Sequence, residues 1–345
     1  MNEVPTPVSE DRLPYQQRCG FVALVGAPNA GKSTLLNQLV GTKVSIVSPK
    51  VQTTRTRVRG IVMTEDAQIV FIDTPGIFAP KRRLDRAMVK AAWNSADDAD
   101  LIVLVIDAGA GVTAEDQAII KQLKDQHRKA ILALNKVDKV TDKEKLLRLS
   151  QELFAHEVFT DVFMISAKKG AGTQDLVNFL SAKMPDGPWM FPEDDVSDMP
   201  LRLLAAEITR EKLYYQLQQE LPYSATVETE LWEERKDGSV KLEQTIFVER
   251  EGQKAIILGK GGKRIKALGS DARKELEAIF ERRVHLFLFV KWSMQKRGFA
   301  SYGRTINPFP ERFSGNACNN HCGNSANNNQ DNTPKRSDFH YLSRD

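Results

Sequence analysis

One octapeptide constrains the chain more than any other feature. Gly26, Ala27, Pro28, Asn29, Ala30, Gly31, Lys32 and Ser33 read G-x-x-x-x-G-K-S, the signature of a phosphate-binding loop. Residues 21–25 (FVALV) form a short apolar run suited to a buried strand, and residues 34–40 (TLLNQLV) carry apolar side chains at helical spacing. A strand entering a glycine-rich turn and then a helix wraps backbone N–H groups around an anion at the positive helix end. Lys32 is expected to reach the outer phosphates and Ser33 to bind Mg²⁺, with Thr34 continuing the cradle into the helix.

A chain of 345 residues exceeds one ordinary core, so two domains are expected. Net charge is only +4, yet residues 251–300 hold twelve Lys/Arg against five Asp/Glu, a local +7. A basic segment in a near-neutral chain suggests a polyanion site. The three cysteines, Cys19, Cys318 and Cys322, are too scattered for a disulfide framework and fit a reducing compartment. Apolar runs such as residues 101–106 fall far short of the ~18 residues of a membrane span. Residues 1–19 are polar, contain three prolines and carry no signal-peptide core; they are expected to form a flexible lead.

Residues 41–59 (GTKVSIVSPKVQTTRTRVR) have no clear period and read mostly as loop. A hydroxyl from Thr53 or Thr54 could complete the metal shell when a γ-phosphate is present, making this loop a switch. Residues 68–72 (QIVFI) read as a strand ending in Asp73, Thr74, Pro75 and Gly76. Asp73 would hold Mg²⁺ through water, and the Gly76 N–H would meet the γ-phosphate. Strands are also expected at 101–106, 130–134 and 162–165, with helices at 113–124 and 173–183. Alternation of this kind describes a doubly wound α/β sheet with its site at the strand C-termini. The 130–134 strand runs into Asn135, Lys136, Val137 and Asp138 (N-K-x-D), and the 162–165 strand into Ser166, Ala167 and Lys168. A carboxylate at Asp138 can accept two hydrogen bonds from the N1–H and N2–H₂ edge of guanine, whereas adenine leaves it unpaired; such sites discriminate by ~10⁴–10⁵. Asn135 and Lys136 would brace the base, and Ser166, Ala167 and Lys168 would pack over it.

These motifs, in this order, resemble the translation-factor-like GTPases, and G-A-P-N-A-G-K-S with Q-T-T-R, D-T-P-G-I, N-K-V-D and S-A-K narrows the resemblance to the Era and MnmE branch. Where many GTPases related to Ras carry a water-orienting Gln, this chain has Ile77. The resemblance implies that Asn29 can help bind a K⁺ ion supplying positive charge. It also implies a chemical role for Lys32, Asn29, Thr54 and Gly76.

Residues 184–200 hold four prolines, a glycine and five acids and read as a linker, its Trp189, Met190 and Phe191 packing on a neighbouring domain. Beyond it the pattern is helix (201–220), two alternating strands (224–235 and 240–250) around a Lys236-Asp237-Gly238 turn, and a short helix (254–258). Then come Gly259, Lys260, Gly261 and Gly262, a helix (263–281) and a strand (284–290). That order resembles the α+β type II KH fold, which clamps about four nucleotides of single-stranded nucleic acid at its G-x-x-G loop. Lys260, Lys263, Arg264 and Lys266 add charge beside Gly259, Gly261 and Gly262. A GTPase domain (20–183), a linker (184–200) and a KH domain (201–291) together resemble the Era family. The resemblance implies a GTP-hydrolysing switch, present in the cytoplasm as a monomer. It would bind GTP or GDP with Mg²⁺, and ribosomal RNA of the small ribosomal subunit, in whose maturation it acts. Peripheral contact with the cytoplasmic face of the inner membrane goes with the same resemblance. Two rival readings are an RNA-binding assembly factor that only binds GTP and a membrane-surface GTPase. The resemblance stops near residue 291. Residues 316–332 hold eight Asn in seventeen positions, so the tail from 292 to 345 is expected to be disordered. Cys318, His321 and Cys322 lack a fourth metal ligand at usual spacing.

Overall fold

The computed structural model describes residues 17–50, 53–55, 57–80, 83–217 and 222–292. Two sheets organise them. The first runs β2-β3-β1-β4-β5-β6, with β1 at Arg18–Val25, β2 at Val58–Met63, β3 at Ala67–Asp73, β4 at Leu101–Asp107, β5 at Ala130–Asn135 and β6 at Phe159–Met164. Helices cover both faces. On one face α2 (Arg83–Asp97), α3 (Ala114–Asp125) and α4 (Lys143–Phe154) place Trp93, Ile119, Leu123 and Leu153 against Ala23 and Val25 of β1. On the other, α1 (Lys32–Val40) and α5 (Thr173–Lys183) place Leu35, Leu36, Leu176 and Leu180 against Val22 and Leu24. Alternate β1 residues therefore enter opposite cores, which is why the central strands read as unbroken apolar runs.

The sheet corrects the sequence expectation in several places. Residues 58 and 59, read as loop, begin β2, which pairs antiparallel with β3. Gly60 lies on Leu36 and Val40 of α1, where a side chain would not fit, and the β-branched Val58, Ile61 and Val62 suit the strand. Helices α2 and α4 are additions to the sequence expectation; in α4 the buried Leu146, Leu149 and Leu153 stand at helical spacing. β1 starts at Arg18, inside the segment expected to be a flexible lead, because Cys19 pairs through its N–H with Pro185 O at 3.0 Å. In residues 184–200 Trp189 and Phe191 are half-buried, whereas Met190 is exposed. Gln68 Oε1 accepts from the N–H groups of Met190 (2.8 Å) and Phe191 (3.0 Å). Further on, Val196 O accepts from Ile61 N at 3.0 Å, Ser197 Oγ donates to Arg59 O at 2.6 Å and Asp198 pairs with Arg59 at 2.6 Å. The segment thereby covers the outer edge of β2, blocking further strand pairing there.

The second sheet runs β7-β8-β9, from Ala225–Glu234, Val240–Val248 and Val284–Trp292. β7 and β8 are antiparallel, and β8 and β9 parallel. Three helices, α6 (Leu201–Gln216), α7 (Glu251–Leu258) and α8 (Lys263–Phe280), bury Leu213, Ile257, Leu268 and Leu276 against it. This is the order and pairing of a type II KH fold. Both sheets belong to one compact unit. β9 continues to Trp292; the tail expectation from 293 onward, with Cys318, His321 and Cys322, lies outside the described residues, as do residues 1–16.

Candidate nucleotide site and its contacts with the second domain

The C-terminal ends of β1, β3, β5 and β6 bring four predicted motifs to one rim. The phosphate loop leaves β1 with Gly26 at φ +150° and Gly31 at φ +101°. A Cβ at Gly26 would stand 2.4 Å from Val105 O, and one at Gly31 2.3 Å from Asn135 Nδ2, so neither site admits a side chain. Asn29 sits at φ 61° on the exposed side of the loop, its Nδ2 donating to Pro49 O at 3.1 Å. Lys32, 6% exposed, donates from Nζ to Gly26 O (3.0 Å) and Ala27 O (2.9 Å). Burial pulls its pKa down to about 8 despite Asp73 nearby. Such an ammonium ion stands to gain from a phosphate charge at the loop.

Beneath the loop, three oxygen side chains converge. Ser33 Oγ lies 2.9 Å from Thr54 Oγ1 and donates to Asp73 Oδ2 at 2.6 Å; Thr54 Oγ1 donates to the same oxygen at 3.0 Å. Thr53 is elsewhere, its Oγ1 donating to Lys50 O at 2.7 Å. Asp73 is fully buried. Burial pushes its carboxyl up, opposed by the hydroxyls and Lys32. Its Oδ1 is buried without a hydrogen-bond partner. One carboxylate, two hydroxyls and an orphaned acceptor oxygen suit a small hard cation with oxygen ligands, so these residues fit Mg²⁺. Sequence reasoning missed Ser45, whose Oγ also donates to Asp73 Oδ2 at 2.9 Å. It equally missed Asn37, whose Oδ1 accepts from Val44 N (3.0 Å) and Ser45 N (2.9 Å); nothing in their local sequence marks either. Thr74 Oγ1 donates to Leu24 O at 2.7 Å, fixing the turn after β3. Pro75 is buried, Gly76 abuts Pro28, and Ile77 donates its N–H to Gly26 O at 3.1 Å.

At the other end of the rim, Asn135 ties three motifs together. Its Nδ2 donates to Ala30 O at 2.9 Å, and its Oδ1 accepts from Lys136 N at 2.8 Å and Ala167 N at 2.9 Å. Lys136 Nζ donates to Asn29 O and to Asp107 Oδ2, both at 2.6 Å. Ser166 Oγ donates to Asp138 Oδ1 at 2.7 Å, and this bond holds the exposed Asp138 carboxyl below its usual range. Asp138 is thus an ionised acceptor facing outward, with Lys168 exposed nearby in sequence to Ser166.

Two comparisons by family model divide the chain in the same way: residues 21–136 match the 50S ribosome-binding GTPase model and residues 220–294 the KH domain model. GTPase Era of Brucella suis is 58% identical over 291 residues, covering 84% of this chain and 93% of that protein. The chain belongs to the Era family of GTPases. GTPase Era of Rhizobium meliloti is 60% identical over 293 residues, covering 84% of this chain and 93% of the relative. Two solved structures agree at TM-score 0.76 and 43% identity, covering 80% of this chain and 94% of each: an Aquifex aeolicus Era variant bound to GDP and AlF₄⁻, and Era with MgGDPNP and nucleotides 1506–1542 of 16S ribosomal RNA. The chain is accordingly a GTPase, and its nucleotide is a guanine nucleotide.

In the second domain, the glycine-rich loop of Gly259, Lys260, Gly261 and Gly262 joins α7 to α8. Lys260, Lys263, Arg264 and Lys266 are all exposed. Arg264 is partly committed, donating from Nη1 to Ile256 O at 2.6 Å. The lysines surround a positive helix start, a geometry suited to phosphates. The two halves meet along the segment that carries Lys43, Val47 and Arg55. Lys43 pairs with Glu211 at 2.6 Å and with Glu275. Val47 N donates to Glu211 Oε1 at 2.8 Å, and Tyr215 Oη to Val47 O at 3.0 Å. Arg55 donates to the carbonyls of Ala225 (3.0 Å), Pro222 (3.1 Å) and Tyr223 (3.0 Å). None of these contacts is visible in the sequence, because the partners lie more than 150 residues apart.

Proposed function

We propose that the chain is a GTP-hydrolysing switch that binds small-subunit ribosomal RNA through its KH domain and acts in small-subunit maturation. In this reading residues 20–183 are the catalytic domain, 184–200 the linker and 201–291 the RNA-binding domain. The observation that carries it is the meeting of Ser33, Thr54 and Asp73 beneath the Gly26–Thr34 cradle, with the loop bearing Thr54 in contact with the KH domain. Backbone N–H groups from Gly26 to Ser33 cradle the phosphates, Lys32 neutralises the outer ones, and Gly76 N–H meets the terminal one. Ser33, Thr54 and Asp73 would hold Mg²⁺, which would supply positive charge against the phosphates. Asp138 accepts from the guanine edge while Asn135, Lys136, Ser166, Ala167 and Lys168 shape the base pocket. Ile77 has no polar group with which to orient a water; Asn29 would help bind a K⁺ ion, and that ion would supply the remaining positive charge. Gly259–Gly262 with Lys260, Lys263, Arg264 and Lys266 receive the RNA backbone. The protein works as a cytoplasmic monomer that can also touch the inner membrane from its cytoplasmic face; among the described residues no helix is long and apolar enough to cross a membrane.

The test is Lys260→Asp with Gly261→Asp. Two carboxylates where phosphates should lie oppose the positive helix end. Single-stranded RNA affinity should drop, and wild-type affinity should fall steeply with salt as counterions are released. GTP affinity should hold. Undiminished RNA affinity in a folded variant would refute the KH site.

A further inference from the structure

Thr54 reaches the metal shell between two residues that the second domain holds. On its N-terminal side, the Thr53 carbonyl accepts from Arg210 Nη2 at 2.6 Å. On its C-terminal side, Arg55 spends its guanidinium on the carbonyls of Pro222, Tyr223 and Ala225. Both guanidinium groups lie against one ring, that of Tyr214, at 5.9 Å for Arg55 and 5.2 Å for Arg210. Arg210 is 2% exposed. Its charge is matched within α6 by Glu207, with Nε donating to Oε1 at 2.8 Å. A buried arginine held on its own helix through Nε and Nη2, whose Nη2 also reaches a backbone carbonyl next to a metal-shell hydroxyl, is built to place that carbonyl.

We propose that Arg210, a KH-domain residue, is a positioning residue of the GTPase site: by fixing the Thr53 carbonyl it fixes where Thr54 Oγ1 stands relative to Ser33 and Asp73. Arg55 secures the other end of the same short segment. The inference rests on the reading of Thr54 as a metal-shell residue. It adds that the shell is completed only while the two domains are docked. A plain tether between domains would weaken all nucleotide states alike. A positioning residue acts on the triphosphate state, because only there does Thr54 have a role in the site.

The experiment measures affinity for a fluorescent non-hydrolysable GTP analogue and for fluorescent GDP across a Mg²⁺ titration, with kcat and KM for GTP alongside. Variants are Arg210→Gln, Arg210→Lys, Thr54→Ala and the Arg210→Gln, Thr54→Ala double. Arg202→Ala is the control, since Arg202 lies on α6 but donates to Thr229 O and Glu230 O within the KH domain. With loss of a charge-assisted hydrogen bond, Arg210→Gln should weaken the analogue by about tenfold and raise the Mg²⁺ it needs, with GDP within about twofold of wild type. Arg210→Lys, which keeps a donor, should lose less, Arg202→Ala should lose nothing, and the double variant should match Thr54→Ala alone. An equal loss for both nucleotides, or none in Arg210→Gln while Thr54→Ala is impaired, overturns the proposal. Thr54→Ala without effect on the analogue would instead overturn the metal-shell reading, and the proposal with it.

Discussion

Replacing Asn135 by Ala should loosen three loops at once. The side chain is 1% exposed and makes three hydrogen bonds of 2.8–2.9 Å. Removing it strands the Ala30 carbonyl and the Ala167 N–H, on residues that are each 2% exposed, where water has no access. At about 1.5 kcal/mol for each stranded group, the two together cost about 3 kcal/mol. The Lys136 N–H is on a partly exposed residue and can turn to water, so it adds little. A loss of that size lowers Tm by roughly 5 °C in a folded unit of this length, at about 2 cal/mol/K of unfolding entropy per residue. GDP affinity should fall as well, because Ala30, Lys136 and Ala167 belong to the loops expected to hold the phosphates and the base. Asn135→Asp separates the two functions of the amide: it keeps the acceptor for Lys136 and Ala167 but turns a donor into an acceptor facing Ala30 O. It should therefore be at least as damaging at neutral pH. Thermal unfolding with and without GDP, together with a fluorescent-GDP titration, checks this. A Tm drop under about 2 °C with near-normal GDP affinity would refute the argument that buried hydrogen bonds of this kind hold the rim.

Three further outcomes are expected. Burial alone would push the Glu275 carboxyl up, but hydrogen bonds from Lys212 and Lys43 outweigh it and hold the pKa below 4.5. Its contribution is therefore present above the unfolded value and lost as pH falls through the lower folded one. The Tm difference between wild type and Glu275→Gln should shrink as pH falls from neutral through and below the ordinary glutamate range, and a constant difference would show that the Glu275 charge is not what stabilises the junction. Asp138→Asn should move preference from guanine toward xanthine nucleotides, read by competition binding, because the amide puts a donor where guanine also presents one. GTP turnover should fall when K⁺ is replaced by Na⁺, and Asn29→Ala should erase that difference in a steady-state phosphate-release assay; an ion-independent wild type would remove the role given to Asn29.

Motif residues are readable from sequence when their chemistry depends on near neighbours in the chain. Gly26 through Ser33 are shaped as a cradle suited to phosphate because strand, turn and helix follow within a few residues, and the spacing alone dictates the backbone geometry. Asp73, Asp138 and Gly259–Gly262 are likewise marked by the strand or helix they border. The same locality makes the alternating strands β7 and β8 and the helical spacing of α8 legible. What sequence could not decide are pairings between distant segments, which carry no periodicity. β2 takes its place because Gly60 fits against Leu36 and Val40, and residues 184–200 lie along its edge because Gln68, Arg59 and Ile61 hold their backbone and side chains. Between Thr53 and Thr54 the sequence is silent, since adjacent threonines are chemically alike; Arg210 and Arg55, reaching in from and out to a domain about 160 residues away, turn Thr54 toward Asp73 and Thr53 away from it. The chain's local order thus determined which chemical groups the protein owns, and tertiary packing decided which of them meet, because contact between remote residues is set by the shape of the folded surfaces rather than by spacing along the chain.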